Sequence, residues 1–327
     1  MQKNCWHHKP YYSLDSWCKN NLHRKCYKIA LNAHMTCPNR DGSLDTRGCV
    51  FCSAGGSGDF AVDIEGKSIK EQLSEGLERL SRKFTLEDNP CLIAYFQAYT
   101  NTYAPLSYLR KVYTDALDSP QVCGISIATR PDCLPGDVIL LLKQLKEAYP
   151  DKFIWVEIGL QTIHPGSAEF IRRGYPLSCF EHAFEELRKI DIPVIVHLIL
   201  GLPGETKEMM LQSIAYLNTM KPFGVKLQLL HILKGTDLGL WYEHPEKGIK
   251  IAPLTKEQYL DILLDCIRHL DADIVIHRVT GDGPRKLLLA PTFSLNKKDV
   301  LNSLHKLFRL QNAVQGDRSD TTYSDSP

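Results

Sequence analysis

Six short apolar segments recur along this chain with helical stretches between them, and that alternation constrains the fold more than any other feature. The segments are 27–32 (YKIALN), 91–96 (CLIAYF), 123–128 (CGISIA), 153–159 (FIWVEIG), 193–200 (PVIVHLIL) and 225–231 (VKLQLLH). A run that is apolar at odd and even positions alike has no face for water, so it suits a parallel sheet covered on both sides. Residues 68–84, 106–117, 137–148, 177–190, 206–220 and 256–270 carry helical patterns, several opening on a cap or proline such as Thr255 or Pro135. Six β–α units of this kind predict an α/β chain folded as a partial (βα)6 TIM-like barrel, with chemistry at the C-terminal ends of the strands. A further run, 273–277 (DIVIH), can extend the sheet. The expected organisation is a short N-terminal extension (1–25), a core domain (26–290) and a C-terminal helix with a disordered polar tail (291–327). No internal repeat or linker interrupts it.

Composition narrows the functional classes. With 327 residues, 43% of them hydrophobic, the chain can bury a large core. No run of 18 apolar residues occurs, so no membrane helix and no membrane partner are expected. The polar first residues lack the apolar centre of a signal peptide, so a cytoplasmic location is expected. In a reducing compartment, eleven cysteines point to metal binding or plain burial rather than to disulfides. A formal net charge of +1 excludes wholesale electrostatic attraction to nucleic acid. Local basic clusters stand at His7-His8-Lys9, His23-Arg24-Lys25, Arg172-Arg173 and Lys297-Lys298, and each alone reads most simply as solvated surface.

The strongest local signal follows the first apolar segment. In TCPNRDGSLDTRGCVFC, eleven residues separate Cys37 from Cys49 and two separate Cys49 from Cys52. Pro38, Asn39, Gly42 and Gly48 let the loop wrap closely around a bulky group. Soft thiolates select iron–sulfur clusters, zinc or copper(I). Spacing alone leaves two readings open. With His34 as a fourth ligand the pattern is a structural zinc knuckle, which would make the chain a zinc-stabilised RNA- or protein-binding module. With the cysteines alone it holds a [4Fe–4S] cluster whose fourth iron stays open to a ligand.

The stretch YKIALNAHMTCPNRDGSLDTRGCVFCSAGGSGDF resembles the start of the YtqA/YhcC-like (MnmL-like) group of radical S-adenosylmethionine (radical SAM) proteins. The resemblance runs over residues 10–290 and extends to the radical SAM domain of the Elongator catalytic subunit. This chain departs from the widespread C-x3-C-x2-C spacing by its long first gap, as that group does, and keeps an aromatic, Phe51, just before the last cysteine. The GLQT segment at 159–162 also matches the group. The resemblance implies a barrel of the radical SAM type, a [4Fe–4S] cluster on Cys37, Cys49 and Cys52, and S-adenosyl-L-methionine as cofactor. It further implies an oxidoreductase-type enzyme that cleaves this cofactor reductively to a 5′-deoxyadenosyl radical. The electron would come from a reductase or from a flavodoxin or ferredoxin.

Further site residues are expected at strand ends. Phe51 would pack beside the adenine. Gln97, Thr100 and Asn101 stand where many radical SAM proteins carry a Gly-Gly-Glu segment that binds the cofactor's amine; this chain lacks that segment. Arg130 can face a carboxylate with its planar fork or pair with Asp132. Glu157, inside an apolar strand, needs a partner, either ribose hydroxyls or a basic side chain. Gln161 follows it. Past the fifth strand come His197 and then Gly201 and Gly204, in a turn whose backbone N–H groups can meet a polar ligand. Lys226 and Gln228 alternate with apolar neighbours and so share a face. With His231 and Cys133 they are the candidate catalytic groups, the final hydrogen coming from Cys133 or a lumen tyrosine. The run His277 to Asp282 is expected to line the same opening.

Spacing and composition name no substrate. Some members of the resembling group act on the wobble uridine of transfer RNA, helping convert a carboxymethylaminomethyl group at C5 to aminomethyl. The resemblance therefore implies a tRNA partner bound through its anticodon region. Basic clusters would then meet phosphates, and Tyr99, Tyr103, Phe223 and Tyr242 are candidate base stackers. A small metabolite or a peptide is the alternative substrate.

Overall fold

The computed structural model describes residues 6–56, 66–81, 90–247, 249–281 and 283–320. Its strands are β1 (Cys26–Leu31), β2 (Cys91–Phe96), β3 (Val122–Thr129), β4 (Phe153–Gln161), β5 (Val194–Leu200), β6 (Gly224–Leu229), β7 (Ile232–Leu233), β8 (Val275–Arg278) and β9 (Leu288–Ala290). Its α-helices are α1 (Leu14–Asn21), α2 (Ile69–Leu80), α3 (Leu106–Leu117), α4 (Gly136–Ala148), α5 (Pro165–Phe170), α6 (Leu177–Lys189), α7 (Lys207–Met220), α8 (Asp237–Glu243), α9 (Lys256–His269) and α10 (Lys297–Leu310). Seven strands pair in parallel in the order β1-β2-β3-β4-β5-β6-β8. The sheet curls into a half-barrel, as the alternation predicts, and the run after α9 joins it as a seventh strand. Edge strands β1 and β8 do not pair with each other, so the barrel stays open on one side.

Strand pleating sorts the side chains. Leu92, Ala94 and Phe96 of β2, with Ile154, Val156, Ile158 and Leu160 of β4, pack outward against the helices in the main apolar core. Cys91, Ile93, Trp155 and Ile195 point the other way, into a separate cluster at the N-terminal end of the lumen. Trp17 of α1 closes that floor, edge-on to Trp155 and Phe223 with ring centres 5.3 and 5.2 Å away. The floor is therefore largely apolar, although the His277 ring, expected at the opening, is packed edge-on against Trp155 and Phe223 there.

The chain ends fasten the open side. Ile276 N–H donates to the Tyr12 carbonyl at 2.7 Å, and Ser13 bridges Ile276 in parallel, so the N-terminal segment covers part of the β8 edge. Residues 316–320, expected to be disordered, form turns against α9: Gly316 N–H reaches the Ile267 carbonyl and Arg318 N–H the Arg268 carbonyl. The ion pair Arg268–Asp317 (2.9 Å) explains why so polar a segment packs. The rest of the expected tail, 321–327, lies outside the described residues, as do 82–84 of the helical stretch expected over 68–84, whose observed helix α2 ends at Leu80.

Two basic clusters change meaning in three dimensions. Arg172 pairs with Asp237, and Arg173 is buried, donating to the carbonyls of Leu160 (2.8 Å), Thr162 (2.7 Å) and Tyr175 (3.1 Å). These are internal braces rather than solvated surface. His23-Arg24-Lys25 is exposed but immediately precedes β1, at the end of the barrel opposite the strand termini where chemistry is expected.

Candidate active site

The loop after β1 carries the three cysteines to the C-terminal end of the barrel. Tight turns shape it: Arg40 and Asp41 N–H groups donate to the Cys37 carbonyl, and Cys52 N–H to that of Cys49. Buried Asn39 ties the loop to the segment between α5 and α6, donating to the Arg172 carbonyl at 2.8 Å and to Cys49 Sγ at 3.6 Å. Arg40 braces the far side, donating to the carbonyls of Cys52 (2.6 Å) and Ser53 (2.8 Å). Tyr99, at a positive φ of 57°, clamps the loop through Gly56: its N–H donates to the Gly56 carbonyl at 2.8 Å and its hydroxyl to the Ala54 carbonyl. A Cβ on Gly56 would lie 2.3 Å from the Tyr99 ring, so only glycine fits there.

Cys37, Cys49 and Cys52 line one cavity of about 190 Å³, with Phe51, Gln97, Tyr99, Thr100, Arg130, Glu157, Gln161, His197, Lys226, Gln228 and Arg278 also in its wall. Among the described residues no three of His, Cys, Asp and Glu converge closely enough to hold a single ion. His34, the fourth ligand of the zinc reading, is exposed and does not line this cavity. Three thiols without His34 leave a zinc knuckle short of its fourth ligand, so the donor set fits an iron–sulfur cluster better. Burial, reinforced by Cys52, pushes the Cys49 thiol up to about 11, a cost that a bound metal would reverse.

A second, larger cavity of about 620 Å³ adjoins the first and shares Phe51, Tyr95, Gln97, Gln161, His197, Gln228 and Arg278 with it. Lys28 from β1, Arg79 from α2 and Pro284 from the loop before β9 also border it, so it occupies the lumen and its open side. Between the two cavities sits a polar network centred on Glu157. One carboxylate oxygen accepts from Lys28 Nζ (2.7 Å) and Ser126 Oγ (2.5 Å); the other accepts from His197 Nε2 (2.7 Å) and Lys226 Nζ. Lys226 Nζ also donates to the Tyr95 hydroxyl at 2.9 Å and lies 4.3 Å from that ring's centre. Gln228 Nε2 lies 3.3 Å from His197 Nδ1.

Charge decides the protonation states. Burial alone would raise Glu157, but Lys226, Lys28 and His197 hold it well below the carboxylate range, so it is ionised. Burial, with Lys226, depresses His197 to about 4; its neutral ring therefore donates from Nε2 to Glu157 and accepts from Gln228 at Nδ1. Burial also depresses Lys226, with Glu157 opposing. Glu157 thus meets the basic partner its strand position demanded.

Other expected site residues divide. Phe51, Gln97, Thr100, Arg130, Glu157, Gln161, His197, Lys226 and Gln228 come together around the cysteine cavity, and His231 borders the larger one. Gln161 adopts a φ of 65° where β4 slips register, a strained conformation at the site. Arg130 faces the cavity yet is already paired, Nε to Asp132 Oδ1 at 2.9 Å and Nη2 to Oδ2 at 2.7 Å. Asn101 lines neither cavity; its amide donates to the Ala128 carbonyl at 2.9 Å and braces β3. Gly201 and Gly204 are also outside: Leu254 covers Gly201, and the Thr206 side chain caps α7 itself. Cys133 is buried beside Asp132 and borders a different groove, so it does not reach the lumen.

Of the proposed stackers only Tyr99 lines the cysteine cavity. Phe223 belongs to the barrel floor, Tyr103 holds Ser43 at 2.9 Å, and Tyr242 packs on the apolar cluster around Val50. Asp282 lies outside the described residues. Sequence reasoning missed Lys28, Tyr95, Ser126 and the loop braces Asn39 and Arg40. Lys28 carried a readable signal, a charge alternating with apolar residues in the first strand.

Comparisons with known proteins agree with this geometry. Residues 46–217 match the Radical SAM superfamily and residues 222–309 the Radical_SAM C-terminal domain. The first match begins after Cys37, which the fold brings to Cys49 and Cys52. The chain is 38% identical over 308 residues to the uncharacterized protein YtqA of Bacillus subtilis (strain 168), covering 94% of this chain and 92% of that one. It is 33% identical over 294 residues to protein YhcC of Escherichia coli (strain K12), covering 90% of each. In fold it resembles the archaeal Methanocaldococcus infernus Elp3 with its N-terminus deleted, at a TM-score of 0.64 and 15% identity over 89% of this chain; it spans 64% of that protein. The chain belongs to the radical SAM superfamily of enzymes.

Proposed function

We propose that this enzyme holds a [4Fe–4S] cluster on Cys37, Cys49 and Cys52, binds S-adenosylmethionine beside it, and acts on the wobble uridine of tRNA, converting carboxymethylaminomethyl at C5 to aminomethyl. The observation that carries the cofactor part is that the three cysteines line one cavity at the C-terminal end of the barrel. The bound cluster and S-adenosylmethionine supply a 5′-deoxyadenosyl radical that takes a hydrogen atom from the substrate. The chain's own residues orient and shield: Phe51 and Gln97 border both cavities, Thr100 borders the cysteine cavity, and the apolar floor keeps water out from below. A flavodoxin, ferredoxin or reductase delivers the electron.

The tRNA part draws support from the Elp3-like fold and from a partial likeness to the tRNA uridine(34) acetyltransferase of Methanocaldococcus jannaschii, 30% identical over 144 residues, 43% of this chain and 25% of that one. Lys234, Arg285 and Lys286 are exposed beside the β7–β9 ribbon, next to the larger cavity that Leu233 and Pro284 border, and they can meet phosphates there.

Anaerobic reconstitution tests the cofactor part. About four irons per chain and 5′-deoxyadenosine after reduction with S-adenosylmethionine, both lost in Cys37→Ala, are expected. Zinc in place of iron would overturn it. Nucleoside digests of tRNA from a deletion strain test the substrate; an unchanged wobble-uridine profile would turn the search to metabolites and peptides.

A further inference from the structure

The larger cavity has an unbalanced wall. Among the described residues Lys28, Arg79 and Arg278 border it and no aspartate or glutamate does. Arg79 is neutralised on the rim by Glu75 at 2.6 Å, and Lys28 by Glu157 at 2.7 Å. Glu157 has already given its second oxygen to His197 and Lys226. Arg278 is left over. It has no hydrogen bond or ion pair among the described residues, yet it borders both cavities and lies close enough to weigh on the charges of Tyr95, His197 and Lys226. A half-buried guanidinium at a lumen junction among other cations, with no carboxylate partner among the described residues, is placed to take an anionic group that enters the lumen.

We propose that Arg278 reads a carboxylate carried by the substrate, so that the lumen selects an acidic group at the junction of the two cavities. This rests on the uridine reading above and deepens it: the C5 side chain to be shortened ends in a carboxylate, while the aminomethyl product does not. Arg278 presents a planar fork that matches a carboxylate with two parallel bonds. Gln97, Gln161 and Gln228, which border both cavities as well, supply neutral donors around it. When the bond between the amine nitrogen and the carboxymethyl carbon breaks, the carboxylate departs with the two-carbon fragment, and the aminomethyl product no longer engages Arg278. S-adenosylmethionine has a carboxylate of its own, and the test separates the two sources.

The experiment uses the reconstituted full chain and Arg278→Gln, with Arg278→Lys as the charge-conserving variant. Calorimetry gives the affinity for S-adenosylmethionine. With that cofactor saturating, it then gives the affinities for the nucleoside 5-carboxymethylaminomethyluridine and for its carboxamide. Thermal shifts are read in parallel with malonate and with malonamide. Wild type should prefer the acid over the amide by about 10-fold or more, the size of a charge-assisted bond. Arg278→Gln should bring that ratio near one, Arg278→Lys should restore part of it, and S-adenosylmethionine affinity should stay within about threefold in both. Loss of S-adenosylmethionine binding in Arg278→Gln would give the guanidinium to the cofactor and overturn the proposal. Equal binding of acid and amide by wild type, with equal shifts from malonate and malonamide, would also overturn it. A malonate shift that depends on Arg278, with neither nucleoside bound, would uphold the anion site and sink the uridine reading instead.

Discussion

Replacing Glu157 by Gln tests whether the lumen network is ionic as described. Glu157 is fully buried and the Lys226 side chain is 3% exposed, so the variant leaves an ammonium with no counter-charge and little water. Breaking a buried pair on one side costs about 3–5 kcal/mol. The cost has a ceiling, because Lys226 can lose its proton: neutralising a lysine at pH 7 from its ordinary pKa takes about 5 kcal/mol. At about 2.1 cal/mol/K per residue, a chain of 327 residues should lose about 4–7 °C in Tm. The sign with pH follows. If folding forces Lys226 neutral, the unfolded chain binds one more proton than the native one, so the stability of Glu157→Gln rises with pH. The slope should exceed that of wild type by up to about 1.4 kcal/mol per pH unit between pH 7 and 9. The double variant Glu157→Gln/Lys226→Met should recover most of the loss, because Lys28, 20% exposed, can turn to water in the larger cavity. Differential scanning fluorimetry across pH reads all of this. A Glu157→Gln variant within about 1 °C of wild type, or a double variant no more stable than the single, would refute the ionic reading.

Three further outcomes are expected. The unfolded His197 imidazole takes a proton near its ordinary pKa and the folded one only near about 4, so its contribution is intact above that ordinary value and lost as pH falls towards 4. Between pH 7.5 and 5 the loss is about 2 kcal/mol, and His197→Gln should remove that part of the acid destabilisation in a Tm series. Cys91 lies in the apolar floor, where against the lowering contact with Cys123 its neighbour Cys26 and burial push its thiol up to about 12, so Cys91→Val should keep the full iron count of reconstituted protein, whereas Cys52→Ala should not. Gly56→Ala drives a methyl into the Tyr99 ring at a positive φ of 56°; iron retained after desalting should drop at least several-fold, and wild-type retention would show that the Tyr99 clamp does not set the loop.

Much of the scaffold was legible because burial on both faces leaves a plain mark on a sequence. The strands came out within one or two residues of their seven runs, except that 225–231 stops at Leu229 and gives β7 separately. The β7–β9 ribbon left no mark: with two and three residues it is too short for any periodicity, and its partners are joined only by the fold. The site was legible where one residue carried a contradiction of its own. Glu157 in an apolar strand demanded a cation, and Lys226 and Gln228 on one face demanded a polar lumen; the structure joins these demands to each other. Where residue type alone was the guide, it misled: Asn101 and Phe223 look functional in a list of polar or aromatic residues, yet each is spent on a backbone carbonyl or packing. Arg278 shows the converse. The run 277–282 was expected at the opening as a whole, but which of its residues matters comes from what surrounds Arg278, a lumen in which every described carboxylate is already committed and one guanidinium is not.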